Sequence, residues 1–192
     1  DLVRACKNTK RLNFYQADPE QFVRHNEYPV RIATEKDIAL LTVLYRGYEF
    51  ARKNRTDEEI ERAIARAMHE SGVYFVFESE GRIVSAARIY PQTDRAGVIG
   101  AARTLPEFRG RGIYLSVRSA CFEHLFSQGK TGLGAFVDSN TSMHRVLNKQ
   151  GGCILAEWLV VHLEAKSSLR QRILPQLVRR WGMRVRDYVC RQ

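Results

Sequence analysis

The spacing of apolar and polar positions changes period several times along the chain, and each change predicts an element. Val30-Arg31-Ile32 reads as a short strand leading to Thr34, an N-cap with Asp37 three residues on as its capping-box partner. Ile38, Leu41, Leu44, Tyr45 and Tyr48 then recur at helical spacing. Thr56 and Glu59 form a second box, ahead of Ile60, Ile64, Ala67 and Met68 on one face of a helix that ends near Gly72. Val73-Tyr74-Phe75-Val76-Phe77 is β-branched and aromatic throughout, and Glu80-Gly81 turns it into a hairpin with 82–90, closed by Pro91. A third strand is predicted from Ala96 to Thr104, then a helix over 112–127, a short buried strand at 133–137, a helix capped by Ser139, Asn140 or Thr141 and stopped by Gly151-Gly152, and a last strand from Cys153 to Glu164.

Hairpins in the middle and crossovers late make this an α+β protein: a mixed, mostly antiparallel sheet with helices on both faces and a parallel crossover late in the chain. Residues 1–29 show no sustained period and carry Asp18-Pro19 and Tyr28-Pro29 as turns, so they read as an N-terminal extension. Residues 166–192 place Leu169, Ile173, Leu177, Trp181, Val185 and Tyr188 near helical spacing, a basic amphipathic C-terminal helix with Pro175 as a kink. The main domain is therefore 30–165.

Length and composition fit that division. At 192 residues, 44% hydrophobic and 27% charged, the chain suits one globular domain with appendages and excludes disorder and a disulfide scaffold. Charge changes the picture more. The chain carries +10, but residues 166–192 hold eight Lys/Arg against Asp187 alone. A positive field so concentrated in a tail argues against the main fold being a nucleic-acid reader; the tail itself reads as a docking helix with solvated arginines, with phosphate binding as the alternative.

Cys6, Cys121, Cys153 and Cys190 form no C-x-x-C pair, and the histidines lack metal-ligand spacing, so no metal is expected. A reducing, cytoplasmic setting fits. No run of apolar residues is long enough to span a membrane, and the first residues lack the apolar core of a signal peptide. The absent initiator Met points to a processed or excised chain, leaving a fused neighbouring domain open, as is a homodimer.

The sharpest chemical feature is Leu105-Pro106-Glu107-Phe108-Arg109-Gly110-Arg111-Gly112-Ile113, between a predicted strand and a predicted helix. A glycine-rich turn opening a helix points main-chain N–H groups into one concavity and adds the helix dipole, which suits phosphate oxygens. Arg109 and Arg111 would add charge-assisted bonds. It is neither a P-loop nor a G-x-G-x-x-G turn. The plainer alternative is a tight connection with no ligand.

The order of elements and this turn resemble the GNAT (Gcn5-related N-acetyltransferase) superfamily, whose Arg/Gln-x-x-Gly-x-Gly/Ala motif is met by Arg109 and Gly112, with Tyr114 replacing the final small residue. Val137-Asp138-Ser139-Asn140 followed by Leu147-Asn148-Lys149-Gln150-Gly151 is similar to the family's strand-Asn-helix-Gly stretch, and the resemblance covers about 30–164. A weaker similarity to the β-lysine N-acetyltransferases leans the acceptor toward a free amino acid or small amine, although Phe50 to Thr56 lacks that subfamily's Pro-rich loop.

The resemblance implies acetyl-CoA or another acyl-CoA as co-substrate and a small-molecule amine as acceptor. The pyrophosphate would lie on the N–H groups of Arg111, Gly112, Ile113 and Tyr114, with Arg109 and Gly110 completing the turn. Main-chain groups of Arg103, Thr104 and Leu105 would pair with the pantetheine arm and offer an oxyanion donor, and Asn140 would bond that arm. The carboxylate and tyrosine common in the family are missing: the strand before the turn has no acid, and the tyrosine position falls on Leu147. Asp138 and His144 are the candidate catalytic groups, with Tyr114 a further phenol, although a cap, an exposed residue and a packing residue are their plainer roles. Ser116 and Cys121 have no adjacent histidine, which disfavours an acyl-enzyme. The competing readings are transfer of a longer acyl chain from CoA or a carrier protein, and a regulatory module that binds CoA without transfer.

Overall fold

The computed structural model describes residues 9–17, 19–47, 55–138 and 142–161. Residues 11–158 form one compact unit. In chain order the elements are β1 (Thr9–Ala17), β2 (Arg31–Ile32), a 3-10 turn (Glu35–Asp37), α1 (Ile38–Tyr45), α2 (Asp57–His69), β3 (Val73–Ser79), β4 (Arg82–Gln92), β5 (Ala96–Thr104), a 3-10 turn (Pro106–Phe108), α3 (Ile113–Ser127), β6 (Thr131–Asp138), α4 (Ser142–Lys149) and β7 (Gly152–Val161). They build one seven-stranded sheet in the order β2-β3-β4-β5-β6-β1-β7. The β2–β3, β3–β4, β4–β5 and β1–β6 pairs are antiparallel, and β5–β6 is parallel across α3. The expected α+β architecture is observed.

Two cores, one on each face, explain the uniformly apolar β3. Phe75 and Phe77 pack with Val84, Ile89 and Ile99 against Ile113, Val117, Cys121, Phe122 and Leu125 of α3. Tyr74 and Val76, pointing the other way, pack with Ile83 and Ala86 against Leu41, Leu44 and Tyr45 of α1 and Ile60, Ile64 and Ala67 of α2. Both capping boxes form: Thr34 N–H donates to Asp37 Oδ2 at 2.7 Å, and Thr56 and Glu59 exchange bonds at 3.1 and 3.4 Å. Thr34 heads a 3-10 turn rather than the α-helix itself. Arg31 grips Asp37 through both terminal nitrogens, at 2.8 and 2.7 Å, and also Glu78 at 2.8 Å, fastening α1 to the sheet edge.

Two expectations need correction. Within the segment read as an N-terminal extension, Thr9–Ala17 is a strand between β6 and β7. Its alternation is concealed because Asn13, almost fully buried, shares the inward face with Tyr15 and Ala17. The strand read as closed by Pro91 runs on to Gln92. Pro91 lies past Ile89, whose partner Val73 is the first residue of β3, so no ladder bond from β3 is lost there. The predicted C-terminal helix lies outside the described residues.

Residues 19–30 lead from β1 back to β2 and lie against α3. Phe22 meets Phe122 and Phe126 at ring-centroid distances of 5.0 and 5.6 Å. His25 N–H donates to Ser119 Oγ (2.9 Å), and Arg24 pairs with Glu123 (3.3 Å). Gly151, in the left-handed region at φ 72°, is required by this strap, because a Cβ there would stand 2.0 Å from the carbonyl oxygen of Gln21.

Candidate functional site

The parallel ladder between β5 and β6 runs from Ala96↔Thr131 to Ile99↔Gly134 and ends there, while both strands continue. The cause lies in β5. Opposite β4 the register steps from Arg88↔Gly100 to Ala86↔Arg103, so β5 carries one extra residue at this point. Ala101 takes the strain, with φ 50°. Its carbonyl is held by the hydroxyl of Tyr45, a buried residue of α1. The bulge thus turns β5 away from β6 and opens a wedge, with α3 starting at its mouth.

At that mouth the chain leaves Thr104 through Leu105 and the Pro106–Phe108 turn into Gly110 (φ 77°) and Gly112 (φ 83°), the latter at the N-cap of α3. Both glycines hold backbone that other residues adopt only with strain. Among the described residues, the N–H groups of Gly110, Arg111, Gly112 and Ile113 donate to no protein acceptor. They lie at the N-terminal end of α3, whose first N–H groups have no partner within the helix. Arg109 Nε donates to Thr104 O (3.1 Å), Arg111 lies over the Phe108 ring at 5.3 Å, and Tyr28 OH donates to Arg111 O (2.9 Å). Tyr114 follows on the first turn of α3, half-buried against the same core as Ile113.

The strand groups divide. Leu105 N–H donates to Val84 O (2.9 Å), so it is committed to β4 and cannot serve a pantetheine arm or an oxyanion. Ladder alternation turns the main chain of Thr104 to the other edge, beside the wedge, while its side chain meets Ser85 Oγ at 2.9 Å. Arg103 lies opposite Ala86. Asp138 is the last residue of β6, opposite Leu12 of β1, and His144 lies in α4; their side chains, and Asn140 altogether, lie outside the described residues. Leu147 is buried and offers no polar group.

Sequence reasoning missed Tyr45, Tyr28 and the bulge, because helical spacing marks Tyr45 as a core residue and nothing local marks the extra residue in β5. Cys121 is fully buried and its thiol is pushed up by that burial, so it cannot supply a thiolate. Among the described residues no group of His, Cys, Asp or Glu could hold a metal ion, and no helix is long and apolar enough to cross a membrane.

Solved structures share this fold. An acetyltransferase from the GNAT family of Colwellia psychrerythraea is 15% identical, with 80% of this chain and 56% of that chain covered and a TM-score of 0.65. A GCN5-related N-acetyltransferase from Sphaerobacter thermophilus is 17% identical over 82% of this chain and 53% of its own, with a TM-score of 0.61. A "predicted acetyltransferase with acetyl-CoA" from Clostridium acetobutylicum is 23% identical over 70% of this chain and 96% of its own, with a TM-score of 0.53. This chain spans less than two thirds of the length of the first two. No curated protein matches the sequence. The acetyltransferase (GNAT) family profile matches residues 38–151, more than half of the chain, and the protein belongs to that family.

Proposed function

We propose that this protein is an N-acyltransferase that moves an acyl group, most simply acetyl, from acyl-CoA to the amine of a small molecule or amino acid. The carrying observation is the set of N–H groups at Gly110 to Ile113, with no acceptor among the described residues, at the head of α3 beside the β5–β6 wedge. The donor set fits a pyrophosphate: unpaired N–H groups, a helix N-terminus and two flanking guanidiniums. Bound there, acyl-CoA supplies a thioester carbon, which an amine nitrogen joins as the C–S bond breaks and the thiol leaves.

The chain's own residues would do the rest. Arg109 and Arg111 neutralise phosphate charge, Thr104 offers its outward main chain to the pantetheine arm, and the Ala101 bulge keeps β6 away from it. Asp138 and His144 are assigned to proton removal from the attacking amine. Between α1, the start of β4 and the turn after β5, an open groove of about 200 Å³ lined by Leu40, Val43, Leu44, Ile83 and Leu105 carries Arg82 and Glu107 at its rim, paired with each other at 3.9 Å. Its apolar floor suits a small molecule with an apolar side chain, in keeping with an amino acid as acceptor. Free Cys121 and Cys153 suit a reducing, cytoplasmic setting.

Calorimetric titration with CoA, acetyl-CoA and a longer acyl-CoA, followed by free-thiol release across a panel of amines and amino acids, tests the reading. Binding with amine-dependent thiol release is expected. Absence of binding overturns it, and binding without release from any amine reassigns the chain as a CoA-binding regulatory module.

A further inference from the structure

A charge with no counter-ion among the described residues is buried on α3, six residues past Gly112. Arg118 lies on α3, one helical turn past Tyr114, and only 1% of it is exposed. Its Nη1 donates to Gln150 Oε1 and its guanidinium lies 4.5 Å from the centre of the Phe122 ring. Nη2 is buried with no acceptor, and no carboxylate pairs with it among the described residues. Taking a guanidinium out of water without an anion is costly.

The surroundings hold the group rather than neutralise it. Gln150 is fully buried, and its Nε2 donates to Leu115 O (3.1 Å), a carbonyl of the first turn of α3, and to Ser119 Oγ (3.0 Å). Ser119 Oγ also accepts from the strap through His25 N–H (2.9 Å). Burial pulls the Arg118 pKa down to about 10, with Tyr114 acting in the opposite sense, so the side chain keeps its charge at neutral pH. With a rise of about 1.5 Å per residue, the Arg118 Cα lies about 9 Å along the axis from Gly112. Along α3 the guanidinium is felt by Tyr114, one turn nearer Gly112, and by Cys121, and it lies over the Phe122 ring one turn farther on.

We propose that Arg118 is the buried counter-charge for the pyrophosphate held at Gly110 to Ile113, a binding residue one layer beneath the main-chain cradle, kept at the expense of the free protein's stability. This rests on the acyl-CoA reading. It separates from a packing role because the two predict opposite signs: a packing arginine stabilises the free protein, whereas a charge awaiting an anion destabilises it until the anion arrives.

The test compares the wild-type chain with Arg118→Met, which keeps an unbranched apolar stem, and Arg118→Lys, which keeps the charge. Thermal midpoints of the free proteins are measured with calorimetric affinities for CoA and for pantetheine, which lacks the pyrophosphate. Arg118→Met should leave the midpoint unchanged or raise it, weaken CoA at least about tenfold and leave pantetheine within about twofold, with Arg118→Lys recovering part of the loss. An unchanged CoA-to-pantetheine affinity ratio overturns the proposal, as does a lowered midpoint with both ligands weakened alike. Should the Met variant not fold, the Lys variant decides through the same ratio, which must fall below that of the wild type. Failure of the wild type to bind CoA would instead overturn the acyl-CoA reading itself.

Discussion

Tyr45→Phe probes the bulge that opens the wedge. The hydroxyl donates to the carbonyl of Ala101, a residue held at φ 50°. Losing a buried hydrogen bond costs about 0.5–1.5 kcal/mol net, and leaving a buried carbonyl unpaired costs about 1–3 kcal/mol. An L-residue in the left-handed region pays a further 1–2 kcal/mol or so, which this bond helps to offset. Tyr45→Phe should therefore lower the unfolding free energy by about 1–3 kcal/mol, read as a lower urea midpoint with an unchanged slope. In the thiol-release assay kcat should fall while the affinity for CoA stays within about twofold, because the cradle is untouched. Ala101→Gly removes the side-chain penalty at the same point, so combining the two should give a coupling energy of at least about 0.5 kcal/mol. Identical urea midpoints for wild type and Tyr45→Phe, or strict additivity of the two substitutions, would refute the reasoning.

Asp37 should make stability fall in acid. Its carboxyl is held well below the usual range, first by the Arg31 guanidinium and then by Thr34, so its contribution is complete above the unfolded pKa of about 4 and is lost as pH falls through the lower folded value. The thermal midpoint should drop steeply below about pH 4, and Asp37→Asn should lower it near neutrality and flatten that drop; parallel acid profiles for the two proteins would contradict this. Glu27 places a carboxylate oxygen 3.5 Å from where a Cβ on Gly112 would stand. Glu27→Gln should strengthen CoA binding by roughly threefold at low salt, with the gain shrinking as salt rises, and an affinity unchanged at low salt would count against a cradle beside Gly112. A chain beginning at residue 19 lacks the strand between β6 and β7 and should unfold with lower cooperativity and bind an apolar dye; a sharp transition at the wild-type midpoint would show β1 to be dispensable.

Much of the fold was legible because it depends on short-range signals. Thr56 with Glu59, Glu80-Gly81 and the all-apolar run at Val73 to Phe77 each carry their meaning within a few residues, and each element appears where its pattern ends. The strand at Thr9–Ala17 was not legible, because Asn13 breaks the polar alternation and the strand's partners come from the far end of the chain. The turn that opens α3 could be read from Arg109 to Ile113, since glycine, proline and helix onset coincide there. The wedge could not, because it arises from a register step between β4 and β5, a property of two strands together. Arg118 was hidden for a related reason: an arginine on a helix reads as a solvated residue, and only the packing of Gln150 and Phe122 around it reveals a buried charge.

The position of β1 sets an order of events for the growing chain. Leu12 pairs with Asp138, more than a hundred residues away, and the strand flanking β1 on its other side is the last one described. β1 must wait, without this partner, until more than a hundred later residues have been made. Until it arrives, β6 and β7 each present a row of open main-chain groups to solvent. Closing so long a loop is slow, and unpaired edges invite pairing with other chains. β1 thus enters the sheet after the strand it pairs with, and the strap at 19–30, leading on from β1, then lies against α3.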